Sequence, residues 1–399
     1  MSTIMTRGAK PEILAHTGLR GLGVIGVMMN HFVIVADNAA MSDVYPNFGL
    51  ILDLFFIMSG FIMSYLYFEN FSTGFRKERF GKFLWARFAR TYPLHIFALV
   101  AIIVMAVIKT QLPGLTASPP TPVFHVGQAH DLDTPFTLLT NIFLVHAWGL
   151  SDELSWNYPS WALSAEFSAY LLFPLMCLMI GRLPRVGPFI LMGLALVIYV
   201  AIHARLGSLN VPGNDGAIRC IPGFAFGAAA YHLSSGIRNV STLRLHVLQG
   251  LALVGAIGLM IYSGNQIIPI FALALLLIVT SENRGWLTAV LNWSPIRYLG
   301  IISYTVYVMH IVASKIFSPV SNVLTGRFGV ADAWWWNDLR ALLLMGFSIA
   351  ISAVAFRYIE MPARDFLTNW MKRRSATARP AAAELVPAVA SAPGETPRG

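Results

Sequence analysis

The chain alternates long apolar runs with short polar connections. Runs of near-spanning length fall at about 19–38, 47–68, 92–110, 159–180, 188–204, 217–234, 247–263, 266–281, 298–320 and 337–358. An untilted membrane helix needs about 20 apolar residues, so the shorter runs predict spans whose ends the pattern leaves open. A further run at 136–150 is only moderately apolar, follows Pro135 and contains Asn141 and His146. The predicted architecture is an all-α, polytopic integral membrane protein. About ten transmembrane helices surround a polar central cavity, with 136–150 as an outer re-entrant or interfacial segment.

Basic residues set the orientation. With the N-terminus cytoplasmic, 22 of the 28 Lys and Arg fall in inner loops and tails, notably 76–90 and the segment from Arg357 onward. Counting 136–150 as a full span would invert everything after it and put the basic loops outside, against the positive-inside rule. Both termini are therefore expected in the cytoplasm. Residues 1–13 read as a tail and 14–365 as the membrane domain. Residues 366–399 form a second tail, mostly disordered because it is rich in Ala, Pro, Thr and Glu. Trp148, Trp156, Trp161 and the run Trp334 to Trp336 fit anchors at the outer interface, and Trp85 fits the inner one. The loop 111–135 is placed to shape an outer entrance.

Composition agrees: 56% of the 399 residues are hydrophobic and only 12% charged, where a soluble domain has about 25% charged residues. The net charge of +9 does not indicate nucleic acid, because the charges lie in short loops between apolar runs and no such binding motif is present. Cys177 and Cys220 are expected near opposite faces, which argues against a bridge, and no metal-ligand spacing occurs. GLGVIG at 21–26 matches a dinucleotide fingerprint in letters. It lies inside an apolar helix with no strand before it, so its glycines are read as allowing close helix packing, like Gly223 and Gly227. A cleaved signal peptide is opposed by Asn30 and His31 inside the apolar stretch.

Ionisable groups at membrane depth are costly and mark candidate sites. Arg20 and His31 lie eleven residues, about 16 Å, apart on the first span. Arg20, Arg87 and Arg90 are expected at the inner boundary, His31 and His310 near the midplane, and Asp53 and Glu166 toward the outer surface. Arginines grip phosphates through several donors, a neutral imidazole can serve as a general base, and carboxylates can accept hydrogen bonds from sugar hydroxyls. The order suits transfer from an anionic cytoplasmic donor to a hydroxyl-bearing outer acceptor. It equally leaves open a transporter or flippase with a polar relay, and for Asp53 and Glu166 a structural pairing with Arg219 or Arg340.

Six motifs in order sharpen the choice. They are Arg20 with His31; LDLFFIMSGF at 52–61, with Asp53, Ser59 and Gly60; RFARTYP at 87–93; SWALSAEFSAYLLFP at 160–174, with Ser164 and Glu166; LGIISYTVYVMH at 299–310, with Tyr304 and His310; and YIEMPAR at 358–364, with Glu360. Together they resemble the membrane-bound acyltransferase-3 family of bacterial surface-glycan O-acyltransferases, over about residues 14–365. Thr17 and the pair Phe167–Ser168 depart from the family, which often has acidic or polar groups there. With no appended esterase-like domain read, the membrane domain is expected to carry the chemistry.

The resemblance implies an acyltransferase, of groups other than amino-acyl groups, in the bacterial inner membrane. It implies acyl-CoA, by default acetyl-CoA, as co-substrate, with no permanently bound cofactor and no metal. The acceptor would be a hydroxyl of a cell-surface or secreted carbohydrate, such as lipopolysaccharide, exopolysaccharide or a lipid-linked glycan. His31 would be the catalytic base, and Arg20, Arg87 and Arg90 would hold donor phosphates. Asp53, Ser59, Ser164, Glu166, Tyr304, His310 and Glu360 would bind the acceptor or support the cavity. Direct transfer and an acyl-enzyme on Ser59 both fit.

Overall fold

The computed structural model describes residues 10–32, 49–111, 133–150, 154–211, 213–330, 333 and 335–377. Among them the regular elements are helices, with no strand. The long helices are α1 (Leu14–Phe32), α2 (Ile51–Phe71), α3 (Lys77–Gln111), α5 (Trp161–Arg182), α6 (Gly187–Leu206), α7 (Gly216–Leu233), α8 (Thr242–Tyr262), α11 (Ser294–Phe328), α12 (Trp336–Ala355) and α13 (Met361–Thr377). Shorter pieces are α4 (Pro135–Ile142), α9 (Ile268–Val279) and α10 (Trp286–Leu291). The π turn Phe356–Glu360 joins α12 to α13. Most of the loop 111–135, Trp334 and the chain beyond Thr377 lie outside the described residues.

Seven helical segments are long and apolar enough to cross a bilayer: 51–71, 77–108, 158–182, 187–206, 242–262, 294–328 and 336–374. The chain is a multi-pass membrane protein. The remaining three of the ten expected spans fall on α1, α7 and α9. Helix α9 is apolar but has only 12 residues. Helices α1 and α7 carry more polar and small residues than a lipid-facing helix, and packing explains why this is tolerated. Helix α7 lies against α2, α5, α6 and α9, and α1 against α2, α10, α11 and α12. A helix walled in by protein has no need of an apolar surface. The opposite holds for α6 and α8, whose Val197 and Val254 are 66% and 71% exposed, as suits surface covered by lipid chains.

Small residues set the closest approaches, as the glycine-rich runs predict. A Cβ at Gly227 would overlap the Ile57 carbonyl of α2, and one at Gly21 would overlap the Ile296 carbonyl of α11. Beside the α2–α7 contact the rings of Phe71, Phe83, Phe173 and Phe224 meet edge-on or tilted at centroid distances of 5.4–5.9 Å. The region 136–150 is not a span. Helix α4 has eight residues, about 12 Å of length, and the chain then turns back onto α5. Cys177 and Cys220 are both buried free thiols.

The start of α1 is capped from far along the chain. The Leu14 amide donates to the Asn283 side-chain oxygen at 2.8 Å, and Glu12 accepts from Arg297 at 3.0 Å. Lys10 pairs with Glu69 of α2 at 2.9 Å, so three elements hold this end of α1 in register.

Candidate active site

Helices α1, α2, α3, α5 and α11 enclose a cavity of about 250 Å³. Arg20 enters it from α1, Ser59 from α2, Arg87 and Arg90 from α3, Glu166 and Tyr170 from α5, and Tyr304 and Tyr307 from α11. Positions three apart on a helix are surface neighbours, so the RFAR spacing turns both α3 arginines inward together. Arg87 lies 5.5 Å over the Tyr67 ring and donates to its hydroxyl at 3.2 Å. Arg20 donates to Thr17 Oγ1 at 3.4 Å, and Thr17 in turn donates to Glu12 at 2.7 Å. Among the described residues none of these three arginines forms an ion pair. Three guanidinium groups facing one small space, without paired carboxylates, suit an anion.

In the same cavity Ser59 Oγ donates a short hydrogen bond to Glu166 Oε1. The Tyr304 hydroxyl donates to the Thr91 carbonyl at 2.5 Å, tying α11 to α3 across the cavity.

His31 and His310 form a separate group. Their ring centroids are 5.1 Å apart, and neither lines the cavity. The Tyr158 hydroxyl lies 3.2 Å from His31 Nδ1. Tyr158 belongs to the short turn Tyr158–Ser160 that leads into α5. That turn is pinned to α11 twice: Asn157 donates to the Val308 carbonyl at 3.1 Å, and the Tyr307 hydroxyl to the Pro159 carbonyl at 2.7 Å. Tyr307 connects the two groups, since it lines the cavity and its carbonyl lies 2.7 Å from His310 Nδ1.

The expected order along the bundle, arginines then imidazoles then carboxylates, is corrected. His31 meets the residues just before α5, whereas Glu166 is eight residues later, about 12 Å further along toward the arginines. Glu166 therefore lies between the arginines and the imidazoles. Helix offsets cause the difference: α5 begins at the level of His31, not above it.

Besides His310, three residues expected to support the acceptor or the cavity stand elsewhere. Asp53 is fully buried and pairs with Arg219 at 2.6 Å, with Tyr199 donating to it at 3.3 Å. Arg219 also donates to the Gly49 carbonyl at 2.7 Å, so the pair fixes the start of α2 against α7. Arg340 instead holds Ser321 at 2.9 Å and Asn322 on α11. Ser164 Oγ donates to the Leu144 carbonyl at 2.7 Å and accepts from the Ala147 amide at 3.1 Å, anchoring the returning loop. Leu144 has a left-handed backbone, φ 54°, which that loop maintains by packing it away from solvent. Glu360 sits in the π turn and accepts from Thr305, outside the cavity lining.

Tyr158, Tyr170 and Tyr307 were not legible as site residues. The signal that marks Tyr170 and Tyr307 is a phenol hydroxyl within an apolar run, close to Glu166 in SAEFSAY and to His310 in YTVYVMH; Tyr158, in SWNYPSW, has no such signal.

A family model described as an acyltransferase domain matches residues 14–357. Acyltransferase MdmB of Streptomyces mycarofaciens is 24% identical over 369 residues, covering 84% of this chain and 87% of that protein. Peptidoglycan O-acetyltransferase OatA of Listeria monocytogenes is 21% identical over 383 residues; the match takes in 90% of this chain but 57% of OatA. Protein 2 in picA locus of Rhizobium radiobacter is 30% identical over 187 residues, 42% of this chain and 92% of that protein. No solved structure matches.

Proposed function

The chain belongs to the acyltransferase family whose model matches residues 14–357, and from that premise we propose that it transfers an acetyl group from acetyl-CoA to a hydroxyl of a cell-surface or secreted carbohydrate. The observation that carries this reading is the convergence of Arg20, Arg87 and Arg90 on one cavity without ion-pair partners. Guanidinium groups bind phosphate bidentately, and donor diphosphate and ribose phosphate would meet them. The cavity is smaller than the roughly 300–1,000 Å³ of a pocket that takes a whole drug-sized ligand. It suits the acyl-pantetheine arm, with the phosphates at its arginine-lined end and the adenosine beyond it. Positive-inside charge supports a bacterial inner-membrane location with cytoplasmic termini, the arginines facing the donor's compartment.

His31 is the general base in this reading. It takes the proton of the acceptor hydroxyl as that oxygen forms its bond to the thioester carbonyl carbon. The carbon–sulfur bond then breaks and the proton passes to the departing thiolate, which leaves as CoA. Base assistance of this kind is worth about 10²–10⁴-fold. Transfer is direct. Direct transfer needs only His31 as base, whereas an acyl-enzyme on Ser59 would draw on Glu166, the carboxylate that accepts its hydrogen bond. The identity of the relatives as acyltransferases favours this over a transporter using the same groups.

The test compares surface glycans, by mass spectrometry, from cells with the wild-type protein, with His31→Ala and with no protein. The acetyl mass is expected to be present only with the wild type, while His31→Ala remains folded in the membrane at normal abundance. Wild-type glycans from the His31→Ala cells would remove His31 from the mechanism.

A further inference from the structure

His310 lies in the middle of α11 with no solvent exposure, and its Nδ1 is 2.7 Å from the Tyr307 carbonyl oxygen. A carbonyl only accepts, so Nδ1 carries the proton and donates it. In the neutral ring Nε2 is then a lone pair seeking a donor. Nε2 is buried and has no hydrogen-bond partner among the described residues. A buried acceptor left unpaired is costly, so a donor belongs there.

Three rings stand close enough to supply one. Phe32, at 5.8 Å between centroids, has no donor. Tyr307, at 6.0 Å, already gives its hydroxyl hydrogen to the Pro159 carbonyl. His31 is nearest, at 5.1 Å and tilted by 30°, and its Nδ1 is turned to Tyr158, leaving Nε2 for another partner. We infer that a modest turn of the His31 ring, short of which the present geometry stops, brings its Nε2–H onto His310 Nε2, and that this hydrogen bond holds His31 in the tautomer whose basic nitrogen is Nδ1, on the Tyr158 side.

The inference rests on the reading of His31 as base and adds what orients it. His310 is a positioning residue, filling the place that a carboxylate fills beside the histidine of a hydrolase triad. Being neutral, it orients the base without placing another charge at membrane depth. The acceptor hydroxyl is then taken up beside Tyr158, and its proton goes to Nδ1. The Nε2 proton stays in place throughout, and the charge that forms on His31 is passed on when the proton moves to the thiolate.

The experiment uses the full chain in lipid nanodiscs, with acetyl-CoA and an acceptor glycan, and compares His310→Leu, His310→Gln and His31→Ala. His310→Leu has no acceptor and is expected to lower kcat by about 10²-fold or more with the KM for acetyl-CoA unchanged, as follows from losing the correct tautomer. His310→Gln places an oxygen near the lost Nε2 and is expected to recover activity to within about tenfold of wild type. Nitrogen-15 spectra of histidine-labelled protein, with His31 identified by its loss in His31→Ala, should show its proton on Nε2 in the wild type and on both nitrogens in His310→Leu. A His310→Leu kcat within twofold of wild type, a folded His310→Gln as slow as His310→Leu, or a wild-type His31 protonated on Nδ1 would each overturn the inference. Full activity in His31→Ala overturns the base reading instead, and the tautomer spectra still decide the hydrogen bond.

Discussion

Asp53 and Arg219 are joined at 2.6 Å with neither side chain exposed to solvent, and this ion pair ties the start of α2 to α7. Its surroundings satisfy the remaining groups: Gly49 and Asn210 accept from Arg219, and Tyr199 donates to Asp53. Such a pair holds geometry more than it adds stability, because desolvation offsets most of the attraction.

Removing one partner is a different matter. Asp53→Asn is expected to destabilise the protein by about 3–5 kcal/mol, leaving an uncompensated buried guanidinium. Replacing both, as Asp53→Asn with Arg219→Met, should recover a large part of that loss. Thermal unfolding in one detergent measures both. Equal destabilisation by the single and double variants would show that the pair is not the source.

Arg87 and Arg90 are expected to act on donor affinity. A hydrogen bond to a charged group contributes about 1.5–3 kcal/mol, so Arg87→Ala or Arg90→Ala should raise the apparent KM for acetyl-CoA by roughly 10–100-fold. The kcat should change by less than about threefold, since binding lost equally from ground and transition states leaves turnover alone. Steady-state kinetics at saturating acceptor separates the two. A fall in kcat at unchanged KM would move these arginines from binding to chemistry.

Ser59→Ala distinguishes direct transfer from an acyl-enzyme. The variant loses one hydrogen bond to Glu166, an effect of about 1–2 kcal/mol, and turnover is expected to stay within roughly tenfold to thirtyfold of wild type. Intact-protein mass after mixing with acetyl-CoA alone should show no added acetyl group on the wild type. An acetylated wild-type protein together with a dead Ser59→Ala would establish the covalent route.

Gly227→Ala tests helix packing. The added methyl would strike the Ile57 carbonyl, and the backbone shift should cost about 1–3 kcal/mol. Gly250→Ala on α8 meets open space and removes a flexible residue from a helix interior, so a gain of up to about 1 kcal/mol is expected. Unfolding midpoints of the two variants should move in opposite directions.

Helix positions were readable because spans must satisfy their backbone internally and face lipid with apolar groups. The signal weakens where protein replaces lipid, which is why α1 and α7 carry His16, Arg20 and Arg219 and fall short of the apolarity of the other spans. The cationic cavity was legible in part: Arg20, Arg87, Arg90, Ser59, Glu166 and Tyr304 do share one space. Relative heights were not, since they depend on tilt and offset between helices distant in sequence. Asp53 and Glu166 are each a lone carboxylate within a spanning run, yet one meets Arg219 and the other Ser59. Only the packing of α7 against α2 separates those outcomes.

The seclusion of α7 also sets where this chain is free to drift. On the lipid-bathed faces of α6 and α8 one aliphatic side chain can replace another with little geometric consequence, whereas Gly223 and Gly227 touch Phe56 and Ile57 and admit nothing larger. Mutational tolerance should therefore rise outward from α7 in rings. The innermost ring marks the part of the molecule that a change of surrounding lipid reaches last.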